Sequence, residues 1–215
     1  IVNDVTGFTD PEMVQVAADT DCGCVVMHWS KDSLVARPPR RQVLLDESRP
    51  MGSAAQRPVT SQRRFTLPEE APIMRKVMGF LGDQARTLMR AGVARERICV
   101  DPGPGFDKMA DEDVVIQRAT RSMVSMGYPV VTAVSRKRFV GAISGVEEAA
   151  DRDAATFGVC LGAIENGANI VRVHNVAGFA QFLNGFWAVA RPNPRRAFVA
   201  LGSNLGRRRD NMRAA

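Results

Sequence analysis

Residues 98–106 read Ile-Cys-Val-Asp-Pro-Gly-Pro-Gly-Phe. Ile98–Val100 is a short strand with no polar face, and it runs straight into Asp101 and a turn stiffened by Pro102 and Pro104 and relaxed by Gly103 and Gly105. The same arrangement recurs along the chain. Ile1–Val5, Cys24–His28, Pro129–Val134 and Asn169–Val173 are strand-like runs. The segments between and after the strands, Asp10–Asp19, Pro72–Ala91, Glu112–Met126, Glu147–Asn166 and Ala177–Ala190, carry helical patterns, the first opened by Asp10 as N-cap and Pro11 in the first turn. Strands that are apolar on both faces and alternate with helices predict a parallel α/β sheet, here of five βα units. Five units suit either an open doubly wound sheet or part of an eight-stranded barrel, and periodicity does not choose between them.

Polar residues gather where the strands end: Asn3 and Asp4, His28, Asp101, Ser135-Arg136-Lys137, and Arg172 with His174. In parallel α/β folds that end carries the chemistry. An Asp at a strand end beside a rigid turn suits an amidine-like ring edge, an N–H next to an NH₂, although the same residue also caps turns. Ser135, Arg136 and Lys137 suit an anion at a helix start, or form a solvated basic turn. Arg172 and His174 alternate, so they share one face; a buried Arg beside a His makes a diphosphate grip, while a lone His also serves as a core residue. Asn3 supplies an amide or forms a turn, and Met27 and Phe106 form an apolar slot or belong to the core. Taken together, Asn3 and Asp101, the cations Lys137, Arg172 and His174, and the slot describe a site for a flat heterocycle bearing phosphate.

The remaining composition sets bounds. The chain has 215 residues, 45% hydrophobic and 24% charged, with no apolar stretch long enough for a membrane span. It begins at Ile1 without a basic-then-apolar leader, which reads as a piece of a longer product. Cys22, Cys24, Cys99 and Cys160 look like reduced cysteines and predict a cytosolic address; with two histidines, no metal site is expected within this chain. A net charge of +6 fits anionic small molecules, and the scattered arginines and single Tyr argue against nucleic acid. Lys31–Glu70, with five prolines and few large apolar anchors, is expected to be a long disordered loop. Residues 191–196 read as a linker, and 197–215 as the truncated start of a second domain, opening with a strand at Ala197–Leu201.

The ordered set IVNDV (1–5), VVMHW (25–29), DPGPGF (101–106), VSRKRFVGAISG (134–145), RDAAT (152–156) and VRVHNV (171–176) resembles dihydropteroate synthase over residues 1–190. FVALGSNLG (198–206) resembles the first strand and loop of hydroxymethyl-dihydropterin pyrophosphokinase, an α+β ferredoxin-like domain. The resemblance implies units 4–8 of a (βα)₈ TIM barrel, the family's first three strands having no counterpart, and a cytoplasmic homodimer. It implies a transferase of folate biosynthesis, a sulfonamide target, that condenses 6-hydroxymethyl-7,8-dihydropterin pyrophosphate with 4-aminobenzoate, giving 7,8-dihydropteroate and diphosphate with Mg²⁺ helping. By position, Asn3, Asp101 and Lys137 would read the pterin between Met27 and Phe106, and Arg172 and His174 would hold the diphosphate. Ser135 and Arg136 would flank the aminobenzoate. Two outcomes stay open: a synthase acting as part of a longer protein, or a non-catalytic pterin-binding remnant that associates with an intact subunit.

Overall fold

A computed structural model describes residues 1–29 and 65–190 and the backbone of a strand at 198–199. Six parallel strands, β1 (Val2–Asp4), β2 (Cys24–Met27), β3 (Ile98–Asp101), β4 (Val131–Thr132), β5 (Ile170–Val171) and β6 (Phe198–Val199), alternate with seven helices among the described residues. The helices are α1 (Pro11–Asp19), α2 (Pro72–Arg90), α3 (Ala110–Arg118), α4 (Thr120–Val124), α5 (Arg138–Ser144), α6 (Asp153–Glu165) and α7 (Val176–Ala190). The ladder orders are β1-β2-β3 and β4-β5-β6, joined by a parallel bridge between Val100 and Val130. Neighbours in sequence are therefore neighbours in space. A doubly wound sheet reverses its order at a switch point, and this one does not.

Local chemistry explains the elements. Asp10 caps α1 by accepting the Glu12 N–H at 3.0 Å, and Pro11 needs no partner for an N–H it lacks. In α2, Ile73, Met74, Val77, Leu81, Ala85 and Leu88 recur at helical spacing and are all buried. They pack on Cys24, Val26, Ile98 and Val100 in the larger core. A second core joins Val134, Val171 and Val173 to Phe139, Cys160, Phe179 and Leu183. Successive strand residues point to opposite faces. The alternate positions Val25, Cys99, Val131, Ala133 and Ile170 accordingly form a separate cluster on the face turned away from the helices.

Several expectations need correction. The helix expected over 112–126 starts at Ala110 and breaks at Ala119 into α3 and α4. The long helix expected from Glu147 begins as a 3₁₀ turn at Ala149–Arg152, and regular helix starts only at Asp153. The Arg152 side chain there bonds the carbonyls of Val146, Glu147 and Arg136, which holds the preceding segment in a loop. The strands expected at 129–134 and 169–173 shrink to two-residue strands, the first preceded by the Val130 bridge. Of the loop Lys31–Glu70, residues 31–64 lie outside the described residues. The remainder is anchored, because Arg118 donates to the carbonyls of Phe65 and Leu67 at 2.9 and 3.1 Å and Leu67 packs on the core. The linker at 191–196 also lies outside the described residues. Within the strand expected at Ala197–Leu201, Phe198–Val199 pairs parallel with β5, in register with Ile170 and Val171.

Candidate active site

Register brings the candidates together. Asn3 pairs with Val25, Val25 with Cys99, and Met27 with Asp101. Alternation from those rows puts Asn3, Met27 and Asp101 on the face opposite the helices. The same parity carries Ser135 beyond Val131 and Ala133, and carries Arg172 and His174 beyond Ile170. Val171 and Val173 between them are buried against the helices.

Asp101 is fully buried at the end of β3. Its Oδ1 accepts the Gly103 N–H at 2.8 Å, while Oδ2 is buried without a hydrogen-bond partner among the described residues. A buried carboxylate oxygen without a donor is costly unless something supplies one. Burial pushes the Asp101 carboxyl up from its usual range, opposed by the Gly103 N–H and by the positive charges of Lys137, Arg172 and Lys108. The turn is pressed against β2: Gly103 has φ +60, and a Cβ there would lie 2.1 Å from the His28 carbonyl oxygen. His28, next along β2 from Met27, turns instead to the helix side of the sheet, with its ring edge-on to Phe80 of α2 at 5.2 Å. Burial, then repulsion from Lys108, lowers His28 to about 3, so it is neutral at pH 7.

Lys137 stands at the N-cap position of α5, and its side chain reaches back to the turn that follows β3. Its ammonium lies 4.8 Å from the centroid of the Phe106 ring and donates to the Pro104 carbonyl. Burial lowers Lys137 to about 8, against the pull of Asp101. The Phe106 ring is half-buried under this ammonium, whereas Met27 is fully buried.

Ser135 is buried, and its Oγ lies 2.8 Å from His174 Nδ1. Arg172 and His174 are exposed on the sheet face. The expectation of a buried Arg172 is thus corrected: the paired strand ends at Val171, and the guanidinium projects past it into solvent. Arg136 is committed elsewhere. At φ +58, its guanidinium makes a bidentate pair with Asp153 at 2.7 and 2.8 Å, and Asn175 joins the same carboxylate. Asn3 is exposed and its side chain makes no hydrogen bond among the described residues. Asp4 acts as turn chemistry, accepting from the Thr6 hydroxyl and the N–H groups of Thr6 and Phe8.

Two site residues escaped the sequence reading. Lys108 and Asp113 are both buried, and both bond the 103–106 turn. Their sequence signal is weak: a lysine just past a turn and an acid in a helix's first turn are ordinary surface choices. No three His, Cys, Asp or Glu side chains converge as a metal site among the described residues. All four cysteines are free. No described helix is long and apolar enough to cross a membrane. An apolar groove lined by Phe157, Phe182 and Phe186 runs along α6 and α7, and none of the strand-end candidates lines it.

The fold and this face define an all-parallel βα protein whose polar groups converge beyond the C-terminal ends of its strands. The family described as pterin binding enzyme matches residues 1–174, and the chain belongs to that family. It is 30% identical over 182 residues to a dihydropteroate synthase of Synechocystis, covering 84% of this chain and 53% of that protein. It is 34% identical over 186 residues to a folate synthesis bifunctional protein of Arabidopsis thaliana, covering 82% of this chain and 33% of the relative. The chain thus spans about a third to a half of these relatives' lengths. Among solved structures it resembles the Thermus thermophilus dihydropteroate synthase in complex with 6HMPPP, at TM-score 0.66 and 29% identity, over 87% of this chain and 63% of that one. It also resembles the Xanthomonas albilineans dihydropteroate synthase with 4-aminobenzoic acid, at TM-score 0.69 and 26% identity, over 89% of this chain and 57% of that one.

Proposed function

We propose that this chain is units 4–8 of a dihydropteroate-synthase-type barrel. Within a longer protein it would join 6-hydroxymethyl-7,8-dihydropterin pyrophosphate to 4-aminobenzoate. The observation that carries the reading is the unpartnered, fully buried Oδ2 of Asp101 on the same sheet face as Lys137, Arg172 and His174. The sequential parallel order of β1 to β5 supports the partial barrel.

In this reading the ring's N–H and NH₂ edge donates to Asp101 and supplies the partner that Oδ2 lacks. Asn3 would meet the opposite ring edge, Met27 and the Phe106 ring would sandwich the heterocycle, and Lys137 would bond its carbonyl side. Arg172 and His174 would neutralise the diphosphate. The methylene C–O bond breaks with its electron pair leaving on diphosphate, the aminobenzoate nitrogen forms the new C–N bond, and the nitrogen's proton passes to water. The protein positions the reactants and screens charge, and needs no covalent nucleophile. Ser135 would hold the His174 ring beside the aminobenzoate path, with Arg136 shaping that path through Asp153. The Mg²⁺ implied by the resemblance finds no three-ligand set among the described residues, and no step is routed through it. A cytoplasmic homodimer is part of the same proposal, as is the reading of 197–215 as the start of a fused pyrophosphokinase domain.

A second reading is favoured by β1, which among the described residues pairs only with β2 and has no strand on its other edge. In that reading the chain binds pterin without turnover and associates with an intact subunit. One experiment separates the two. The chain is given both substrates and Mg²⁺, with Lys137→Ala as control, and dihydropteroate is measured alongside pterin binding by calorimetry. Turnover lost in the variant supports the synthase, and binding without turnover supports the remnant. Failure to bind pterin overturns both.

A further inference from the structure

The 103–106 turn is held by side chains rather than by a ladder. Lys108 Nζ donates to the carbonyls of Gly103 at 2.7 Å and Phe106 at 3.0 Å. Asp113 Oδ1 accepts the Gly105 N–H at 2.7 Å. The same turn gives the Gly103 N–H to Asp101 and the Pro104 carbonyl to Lys137. Two of these four charged groups, Asp101 and Lys137, face the proposed ligand. The other two, Lys108 just before α3 and Asp113 in its first turn, are 3% and 2% exposed.

Burying a lysine and an aspartate is expensive, and apolar residues of similar size commonly serve a core better. Here each charge spends its hydrogen bonds on atoms of the turn, whose own backbone contributes one bond, from the Phe106 N–H to the Gly103 carbonyl at 3.2 Å. Gly103 and Gly105 adopt positive φ of +60 and +75, and Asp107 follows at +55, so the segment lacks a repeating backbone pattern to fix its shape. What it shapes is the spacing between the free Asp101 oxygen and the Lys137 ammonium.

We propose that Lys108 and Asp113 are positioning residues for the ring-binding half of the site, holding the 103–106 turn so that Asp101 keeps one oxygen free and Lys137 stays over Phe106. The proposal rests on the pterin-binding reading above, and acts through Asp101 and Lys137 rather than by touching ligand. Arg172 and His174 stand in the segment that follows β5, outside this turn, so the anion half of the site is independent of it.

The test compares the chain with Lys108→Met, Lys108→Arg, Asp113→Ala and Asp113→Asn. Two probes are titrated by calorimetry: 6-hydroxymethylpterin for the ring and inorganic diphosphate for the anion. Lys108→Met and Asp113→Ala are expected to weaken the pterin about tenfold and leave diphosphate within about twofold, a local misplacement. Asp113→Asn, which keeps an acceptor, and Lys108→Arg, which keeps a donor, are expected to recover most of the loss. NMR titration of Lys137 in the unliganded protein adds a readout that needs no ligand. Losing the Asp113 charge alone would lower the Lys137 titration point. Release of the turn, which lets water reach the ammonium, raises it, and a rise is expected in Asp113→Ala.

Unchanged pterin affinity, an equal loss for both probes, or a fall in the Lys137 titration point would overturn the proposal. If the parent chain binds no pterin, the pterin-binding reading fails, and the direction of the Lys137 shift alone decides whether the turn is held as proposed.

Discussion

Ser135 and His174 meet across the ends of β4 and β5 through two contacts: Ser135 Oγ lies 2.8 Å from His174 Nδ1, and the His174 backbone N–H donates to the same oxygen at 3.1 Å. With its oxygen accepting that N–H, the hydroxyl is free to donate to Nδ1, which leaves the proton of a neutral ring on Nε2, toward the proposed diphosphate. Ser135→Ala removes both contacts. Its expected effect is a three- to tenfold loss of diphosphate affinity, on the scale of one hydrogen bond of about 1 kcal/mol. Calorimetry with inorganic diphosphate checks it, and Ser135→Thr should retain the affinity.

Gly103 is the position least able to accept a side chain. Its φ of +60 disfavours any L-residue, and a Cβ would sit 2.1 Å from the His28 carbonyl oxygen, a backbone atom that cannot swing away. Gly103→Ala should cost at least about 2 kcal/mol of stability in urea unfolding. Gly79, where a Cβ would meet nothing within 4 Å, sits inside α2 and should tolerate or gain from Ala. Equal losses at both positions would show that the turn does not press on β2 as described.

Asp153 joins the Arg136 guanidinium and the Asn175 amide. The Arg136 hydrogen bond, with a smaller contribution from Asn175, holds its carboxyl below the usual range. The folded value is therefore lower than the unfolded one. The stabilisation is complete above the unfolded value, near pH 4, and disappears as pH falls through the folded value. The pair is partly exposed, so solvent reduces its worth to about 1 kcal/mol. Asp153→Ala should show that deficit at pH 7 in thermal unfolding. The gap to the parent chain should close in strong acid.

Lys137 is lowered to about 8 by burial, and Lys108 is lowered to about 8 for the same first reason. As pH rises through about 8, the folded protein loses these protons while the unfolded chain keeps its lysines charged to about 10.4. Over that window the unfolded state binds more protons, so stability should rise with pH. Ring affinity should move the other way, because Lys137 no longer donates as a cation. A pterin-binding profile flat from pH 7 to 9.5 would remove Lys137 from the ring site.

Much of this was legible in one dimension. The DPGPG turn after an apolar strand, the Asp10-Pro11 start of α1 and the helical spacing of α2 all follow from local propensity and patterning, which act over a few residues. So did the clustering of polar residues at strand ends. The helix boundaries were less legible. Ala119 interrupts α3 and α4 without Gly or Pro, and the late start of α6 depends on Arg152 bonding the carbonyls of Val146, Glu147 and, farther off, Arg136. Arg136 shows the same limit. Adjacent to Lys137, it looks like a second free cation, and only folding brings Asp153 to it.

The amino-acid sequence by itself determined the parallel βα class and the residue types available at the strand ends, because period and turn chemistry are local. Tertiary structure decided the order of the strands, which pairing alone sets. It also decided which charges remain free for a ligand and which are spent. Asp101 keeps a bare oxygen, Arg172 reaches solvent, Arg136 is neutralised, and Lys108 and Asp113 turn inward onto a backbone loop. Those outcomes depend on burial and on partners far away in the chain, and no residue carries that information alone.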